Sequence, residues 1–324
     1  MRASRRTVLG LDVGGTKTAC VEGTLEGEIL ARVELPTRAA EAFSATFPGI
    51  VAEARGVMDA AERAGRRIGA VSVSIGGPLR IEEGFLLDPP HLPGWHHVAL
   101  KARLMEAFPG IPVCIEHDGN AGALAEFYFG VGKGKKELRH LIFLTFGTGV
   151  GGGFIVNGQI LRGASDTAGE VGHWRLAEDG PVGFGTRGSW ESFASGAGLV
   201  ELAAEMFPTR WKADMPIRAV VDAMIRNDSE ALEVAGVAGK WMGRGLALLI
   251  DALNPQVIVF GSLGVLLGER ILGPARKVIA EEALAQAAAV CELKPAALGM
   301  QIGDVAALMA ALTDARVRQS LEEG

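Results

Sequence analysis

Glu170, His173 and Glu191 fall in one glycine-rich stretch, residues 169–192, "GEVGHWRLAEDGPVGFGTRGSWES". Carboxylates accept hydrogen bonds from vicinal hydroxyls and an imidazole can donate or accept, so the three together suit a polyol. The same residue types also ligate metals. The stretch holds no cysteine, and at this level a metal site, a substrate site and a charged loop all remain open.

Two glycine turns supply a second kind of chemistry. "DVGGTK" and "TFGTGVGGG" present backbone N–H groups unobstructed by Cβ atoms, which suits the oxygens of a polyphosphate. Thr16 and Thr148 add hydroxyls and Lys17 a positive charge. Asp12 ends the strand before the first turn and has the chemistry to hold Mg2+ through water. Neither turn has the Walker spacing, and neither opens a helix, because a strand follows each. Asp118 ends the strand-like "IPVCIEHD" and precedes a helix that begins in small residues. That corner lies where ligands of open α/β sheets bind. A carboxylate there can take the proton of a hydroxyl nucleophile, or it can simply cap the helix.

These residues need two sets of strands to hold them. "LGLDVGGTKTACVEGTLEGEIL" (9–30) and "LIFLTFGTGVGGGFIVNGQIL" (141–161) share one pattern: apolar strand, glycine turn, second strand, short turn. Gly14 aligns with Gly147, Gly15 with Thr148, and Thr16 with Gly149. The repeat predicts two lobes built from a duplicated unit. A helical pattern covers residues 41–67, and a long helix starts near Ser229 and stops at Pro255. One further strand, "QVIVFGSLG", is followed by helices at about 263–285 and 303–319. The expected lobes are a smaller one, residues 1–118 plus about 303–324, and a larger one, residues 119–302.

Composition narrows the function classes. The chain has 324 residues, 48% hydrophobic and 22% charged, in the range of globular proteins. Its 45 glycines are about twice the usual share of roughly 7%, which points to tight turns and close backbone approaches. A net charge of −6 argues against a nucleic-acid surface. "SRRTVL" superficially resembles a twin-arginine signal, but the apolar run after it is too short for one. No apolar run is long enough to span a membrane. Cys20, Cys114 and Cys291 stand too far apart for a zinc site and suit a reducing, cytoplasmic setting. "HLPGWHHV", with His91, His96 and His97, is a weak metal candidate, and "GKGKKELR" is a basic loop of the solvated kind.

"LGLDVGGTKTACVEG", "IEHDGNAGALAE", "LTFGTGVGGGFIVNGQI", "GEVGH" and "VIVFGSLG" together resemble the ROK family of sugar kinases and sugar-responsive repressors, over about residues 7–315. The resemblance implies a two-lobed actin-like ATPase fold, of the ribonuclease H-like α/β type, with ATP in the cleft between the lobes. Its phosphates would meet Asp12, Gly14, Gly15, Thr16 and Lys17 on one side and Thr148 and Gly149 on the other. Gly261 would lie near the adenosine, with Ser195 and Gly196 close by. Asp118 matches the family's catalytic aspartate. Glu170 and His173 match its E-x-G-H sugar ligands, and Glu191 a later glutamate ligand. Gly77 lies in a loop that bears on which sugar is held, with "LPGW" on the substrate side.

Three departures qualify that resemblance. His117 stands where the family usually has a sugar-binding Asn. Ser262 stands where relatives usually have a second glycine. Val182, Phe184 and Ser189 occupy the positions of a zinc-binding C-x-C-G-x-x-G-C segment, so no structural zinc is expected, and Phe184 and Val182 are expected to replace coordination with apolar packing. The implied activity is ATP- and Mg2+-dependent phosphorylation of a hexose, glucokinase-like at the 6-hydroxyl, with polyphosphate as another possible donor. A sugar binder that has lost catalysis is the alternative. DNA-binding regulators of the family carry a helix-turn-helix ahead of the first glycine strand, where this sequence has only about six residues. Homodimers or homotetramers are common among relatives.

Overall fold

The computed structural model describes residues 5–183 and 185–323. They form two compact units of similar size. The first comprises residues 1–129, 162–168 and 300–324; the second comprises 130–161 and 169–299.

In the first unit, β1 (Arg5–Val13), β2 (Lys17–Gly23), β3 (Ile29–Pro36), β4 (Arg66–Ile75) and β7 (Val113–His117) form one sheet in the order β3-β2-β1-β4-β7. β1, β2 and β3 pair antiparallel, whereas β4 and β7 run parallel to β1. A small ladder joins β5 (Leu79–Arg80) to β6 (Phe85–Leu86). Alternation along β1 decides which helix covers which face. Leu9, Leu11 and Val13 enter a core with Ile50, Ala54 and Val57 of α1 (Phe43–Arg63). Gly10 points the other way, onto Leu308 of α11 (Ile302–Thr313). Each such Leu, Ile or Val buried from water contributes about 1.5–3 kcal/mol. α2 (Leu100–Ala107), α3 (Asp118–Tyr128) and α12 (Ala315–Glu323) complete the unit, with α3 packed on α11.

In the second unit, β8 (Leu141–Phe146), β9 (Val150–Val156), β10 (Gln159–Ile160), β13 (Val257–Phe260) and β14 (Glu292–Pro295) form a sheet in the order β10-β9-β8-β13-β14. Strand for strand this is the first sheet again, three antiparallel and two parallel, as duplication predicts. β11 (Val182–Gly183) and β12 (Thr186–Arg187) form a short ladder. The helices are α4 (Trp190–Ala194), α5 (Gly196–Met206), α6 (Ile217–Ile225), α7 (Ser229–Leu253), α8 (Leu263–Leu267), α9 (Glu269–Glu282) and α10 (Ala285–Ala288). α7 starts where the sequence places it because the Asp228 side chain accepts the Ala231 N–H. It packs on α9, α4 and α5 around Trp190, Met242 and Leu246.

Three expectations need correction. The expected boundary after Asp118 falls instead after Phe129, because α3 belongs to the first unit. Residues 162–168 join that unit too, and neither unit is markedly the smaller. β14 was not expected: "ELKP" is polar and pairs only through β13 at the sheet edge, so no apolar alternation betrays it. Among the described residues, no helix is long and apolar enough to cross a membrane.

Candidate functional site

In the first unit the candidate residues gather at the carboxyl end of β1 and its parallel neighbours. The Gly14 N–H donates to the Lys17 carbonyl at 3.0 Å, closing the turn after β1. Gly15 admits no side chain there: a Cβ would stand 2.5 Å from the His91 carbonyl oxygen. The phosphate-type turn is thus packed against the "HLPGW" loop, which is itself anchored by fully buried Trp95, whose Nε1–H donates to Thr46 Oγ1 at 3.2 Å. Lys17 extends to Glu34 (2.9 Å), and Arg32 bridges Glu34 and Asp304. Asp12 lies among these groups. Burial first, then the charges of Asp118 and Asp304, push its carboxyl up to about 6 against the opposing pull of Lys17 and Arg32.

Asp118 is the first residue of α3, at the corner after β7. The cap position is taken by His117, whose Nδ1 accepts from the Gly119 N–H at 3.3 Å. Asp118 Oδ1 accepts from the same N–H at 2.7 Å. Its side chain is nonetheless half exposed, at 50%, while that of His117 is 12% exposed, so the carboxylate faces outward from a fixed corner. Gly77 packs against the His117 ring, within 2.9 Å of Cδ2 measured from where a Cβ would be. Of the histidines in "HLPGWHHV", His96 contacts Asp88, and no group of three or more His, Cys, Asp or Glu side chains among the described residues could hold a metal ion.

Four residues of this region were not singled out from sequence: Glu116, Arg162, Asp304 and Arg32. Glu116 sits in an apolar run and Arg162 some 46 positions away, so only the fold reveals that they pair.

In the second unit the turn Gly147–Gly149 matches the first turn but is one residue shorter. Val13 pairs with Thr18, whereas Phe146 pairs with Val150, which leaves no counterpart of Lys17. The start of α5 is fastened to this turn: the Gly196 N–H donates to Gly147 O at 2.8 Å and the Ala197 N–H to Thr148 O at 3.2 Å. Ser195 is buried and caps α5, its Oγ accepting from the Gly198 N–H. So Thr148, Gly149, Ser195 and Gly196 are brought together. Gly261 leaves β13 at the same sheet edge, its N–H donating to Leu144 O at 2.9 Å.

Ser262, where the sequence departs from the family pattern, has φ 47° and ψ −115°. It is the second residue of a turn closed by the Gly264 N–H on Gly261 O (2.9 Å), a position that favours glycine. Such a backbone costs a non-glycine residue about 1–3 kcal/mol. Ser262→Gly is therefore expected to stabilise the protein by about 1 kcal/mol after the added unfolded-state entropy of glycine, a Tm rise of about 2–4 °C. A lower Tm in thermal melting would contradict this.

Glu170 precedes and His173 ends the short helical turn Val171–His173, with His173 Nε2 3.9 Å from Glu170 Oε2 and both side chains about half exposed. Gly172 between them must lack a side chain: a Cβ would stand 2.2 Å from Val150 O and 3.1 Å from Glu191 Oε2. That close approach sets the turn on β9 and over Glu191. Glu191 itself is buried, one oxygen accepting from the Val150 N–H at 3.3 Å.

Of the apolar replacement expected for zinc coordination, only the Val182 half falls on described residues, and it is not met. Val182 is 52% exposed, and Phe184 lies outside the described residues. Backbone pairing ties the segment through the β11–β12 ladder and through the Leu176 and Ala177 N–H groups on Gly188 O. Ser189 is buried and caps α4.

Comparison with known proteins adds identity to this geometry. The chain is 32% identical over 283 residues to a glucokinase of Streptomyces coelicolor, covering 83% of this chain and 86% of that protein. The crystal structure of a ROK family glucokinase from Streptomyces griseus in complex with glucose and AMPPNP superposes with a TM-score of 0.76. It is 30% identical and covers 93% of this chain and 97% of that one. A ROK family transcriptional regulator, homologous to the E. coli MLC protein, superposes with a TM-score of 0.86 at 21% identity, over 99% of this chain and 82% of that one, a likeness of fold alone. Both units thus have the actin-like ATPase architecture of ROK sugar kinases, and with residues 8–314 matching the ROK family profile, the chain belongs to the ROK family.

Proposed function

We propose that this chain is an ATP-dependent sugar kinase that phosphorylates a hexose at its 6-hydroxyl, with Asp118 as the general base. The observation that carries the reading is the Asp118 corner: a half-exposed carboxylate, fixed at the carboxyl end of a parallel strand, within electrostatic reach of Asp12 beside a glycine turn suited to phosphate. Asp118 would accept the hydroxyl proton as the sugar oxygen bonds to the γ-phosphorus and the bond to the ADP oxygen breaks. In the turn that Gly14 closes, the N–H groups of Gly15 and Thr16, with Lys17, would hold phosphate oxygens, as would the Gly147–Gly149 turn with Thr148. Ser195 and Gly196 shape that second turn, and Gly261 would lie near the adenosine. Glu170, His173 and Glu191 would accept sugar hydroxyls, with His117 and Gly77 bearing on which sugar is held.

Mg2+ fits the donor set present, since it is commonly held by one or two carboxylates plus substrate phosphates. Asp12 would hold it through water, and the bound ion would neutralise charge on the transferring phosphoryl group.

The test is ADP release with ATP and Mg2+ across a panel of hexoses and acetylhexosamines. Turnover that requires one sugar supports the kinase and names its substrate. Silence across the panel, with sugar binding still measurable by calorimetry, would favour a non-catalytic sugar binder.

A further inference from the structure

Behind the Asp118 corner lies a buried polar network that the reading above does not use. The Glu116 carboxylate is 1% exposed and takes four donors. The His117 N–H reaches Oε1 at 3.0 Å and Asn120 Nδ2 reaches it at 2.9 Å. Arg162 reaches Oε2 through Nε at 3.1 Å and through Nη2 at 2.5 Å. The donors come from three different places: the end of β7, the first turn of α3, and the segment 162–168. Asp118 sits between the first two. The third is held at a second point, where Asp166 Oδ2 accepts the Ile81 N–H at 2.9 Å, four residues beyond Gly77.

We propose that Glu116, Asn120 and Arg162 are positioning residues for Asp118, a buried carboxylate with a guanidinium fork that locks the strand-to-helix corner carrying the base. This rests on the kinase reading and adds to it residues that act through Asp118. The physical ground is rigidity. A strand-to-helix corner is set by a few backbone dihedrals, and Glu116 restrains it from both sides, through the N–H just before Asp118 and the side chain two residues after it. A buried carboxylate demands such partners, and Arg162 meets the one oxygen Oε2 with two donors of its rigid guanidinium, a two-point grip that the single ammonium of a lysine does not reproduce. The segment bearing Arg162 follows β10 and precedes Glu170 in the chain, so the same ion pair anchors the stretch that leads to the sugar-ligand candidates.

The test compares wild type, Arg162→Ala, Arg162→Lys and Glu116→Gln in ADP release on the sugar that the panel identifies, with melting temperatures alongside. Arg162→Ala is expected to lower kcat by about 100-fold, the scale of a misplacement of about 1 Å, with KM for ATP unchanged. Millimolar guanidinium is expected to restore much of the lost kcat in Arg162→Ala and none in wild type. Arg162→Lys keeps the charge without the fork and is expected to fall between the two. Should Arg162→Ala not fold, Arg162→Lys and Glu116→Gln carry the test. Wild-type kcat in folded variants, or a loss in folded Arg162→Ala that guanidinium leaves untouched, would overturn the positioning role and leave the kinase reading standing. A wild type silent on every sugar would overturn the kinase reading, and this role with it.

Discussion

Asp118→Asn will lower kcat by about 10³-fold, inside the range of 10²–10⁴ that a positioned general base contributes, and leave sugar affinity within a few-fold of wild type. The substitution is close to isosteric. Its amide oxygen can still accept the Gly119 N–H that Asp118 Oδ1 holds at 2.7 Å, and His117, not Asp118, occupies the cap of α3. Stability should therefore change by well under about 1 kcal/mol, the usual scale for loss of a cap. What the variant loses is the ability to take a proton from a hydroxyl. The measurement is a pair: steady-state ADP release for kcat, and calorimetric titration with the sugar for affinity. Full turnover by a folded Asp118→Asn would remove Asp118 from the chemistry. Loss of binding together with turnover would mean that the carboxylate holds the sugar rather than activating it.

Most of the framework that presents Asp118 was legible in the sequence for one physical reason: buried strands that end in glycine turns leave a strong local pattern. Both hairpins, β1–β2 and β8–β9, stand where the repeated strand–turn–strand strings place them, as does the Gly261 turn after β13. Long-range polar pairing leaves no such pattern. Glu116 reads as an interruption in an apolar run, and the fork of Arg162 arrives from 46 residues away. The same pair draws residues 162–168 into the first unit, which no local signal announces. In the segment between His173 and Glu191, Val182 departs from expectation for a related reason. Val182 was expected to pack in place of a zinc ligand, yet it is 52% exposed on the β11–β12 ladder, and backbone pairing of that kind is indifferent to which residues replace the cysteines. Ser262 was visible as a departure from the family pattern, but its cost became physical only with its φ of 47°.

Asp12→Asn is expected to act with opposite signs on activity and on stability. On activity, loss of the carboxylate proposed to hold Mg2+ through water should lower kcat/KM by about 10³-fold, the equivalent of several kcal/mol of charge stabilisation. On stability the variant should gain. The Asp12 carboxyl is raised from 3.8 to about 6 in the folded protein, by burial and by Asp118 and Asp304, with Lys17 and Arg32 pulling the other way. A folded-state pKa above the unfolded one means that folding takes up a proton. The Asp12 contribution to wild-type stability is therefore greatest below about pH 4 and declines as pH rises through about 6. The shift corresponds to about 3 kcal/mol at full effect, and about 2 kcal/mol once residual solvent screening is allowed for. Asn carries no such charge, so in EDTA Asp12→Asn should be more stable than wild type by about 2 kcal/mol at pH 8 and nearly equal to it at pH 4. Denaturant unfolding of both proteins at the two pH values measures this directly. A variant less stable than wild type at pH 8 would show that the Asp12 charge is already satisfied by the protein alone. The expected gain would instead show a carboxylate held at a cost to the fold, one that a bound cation would relieve.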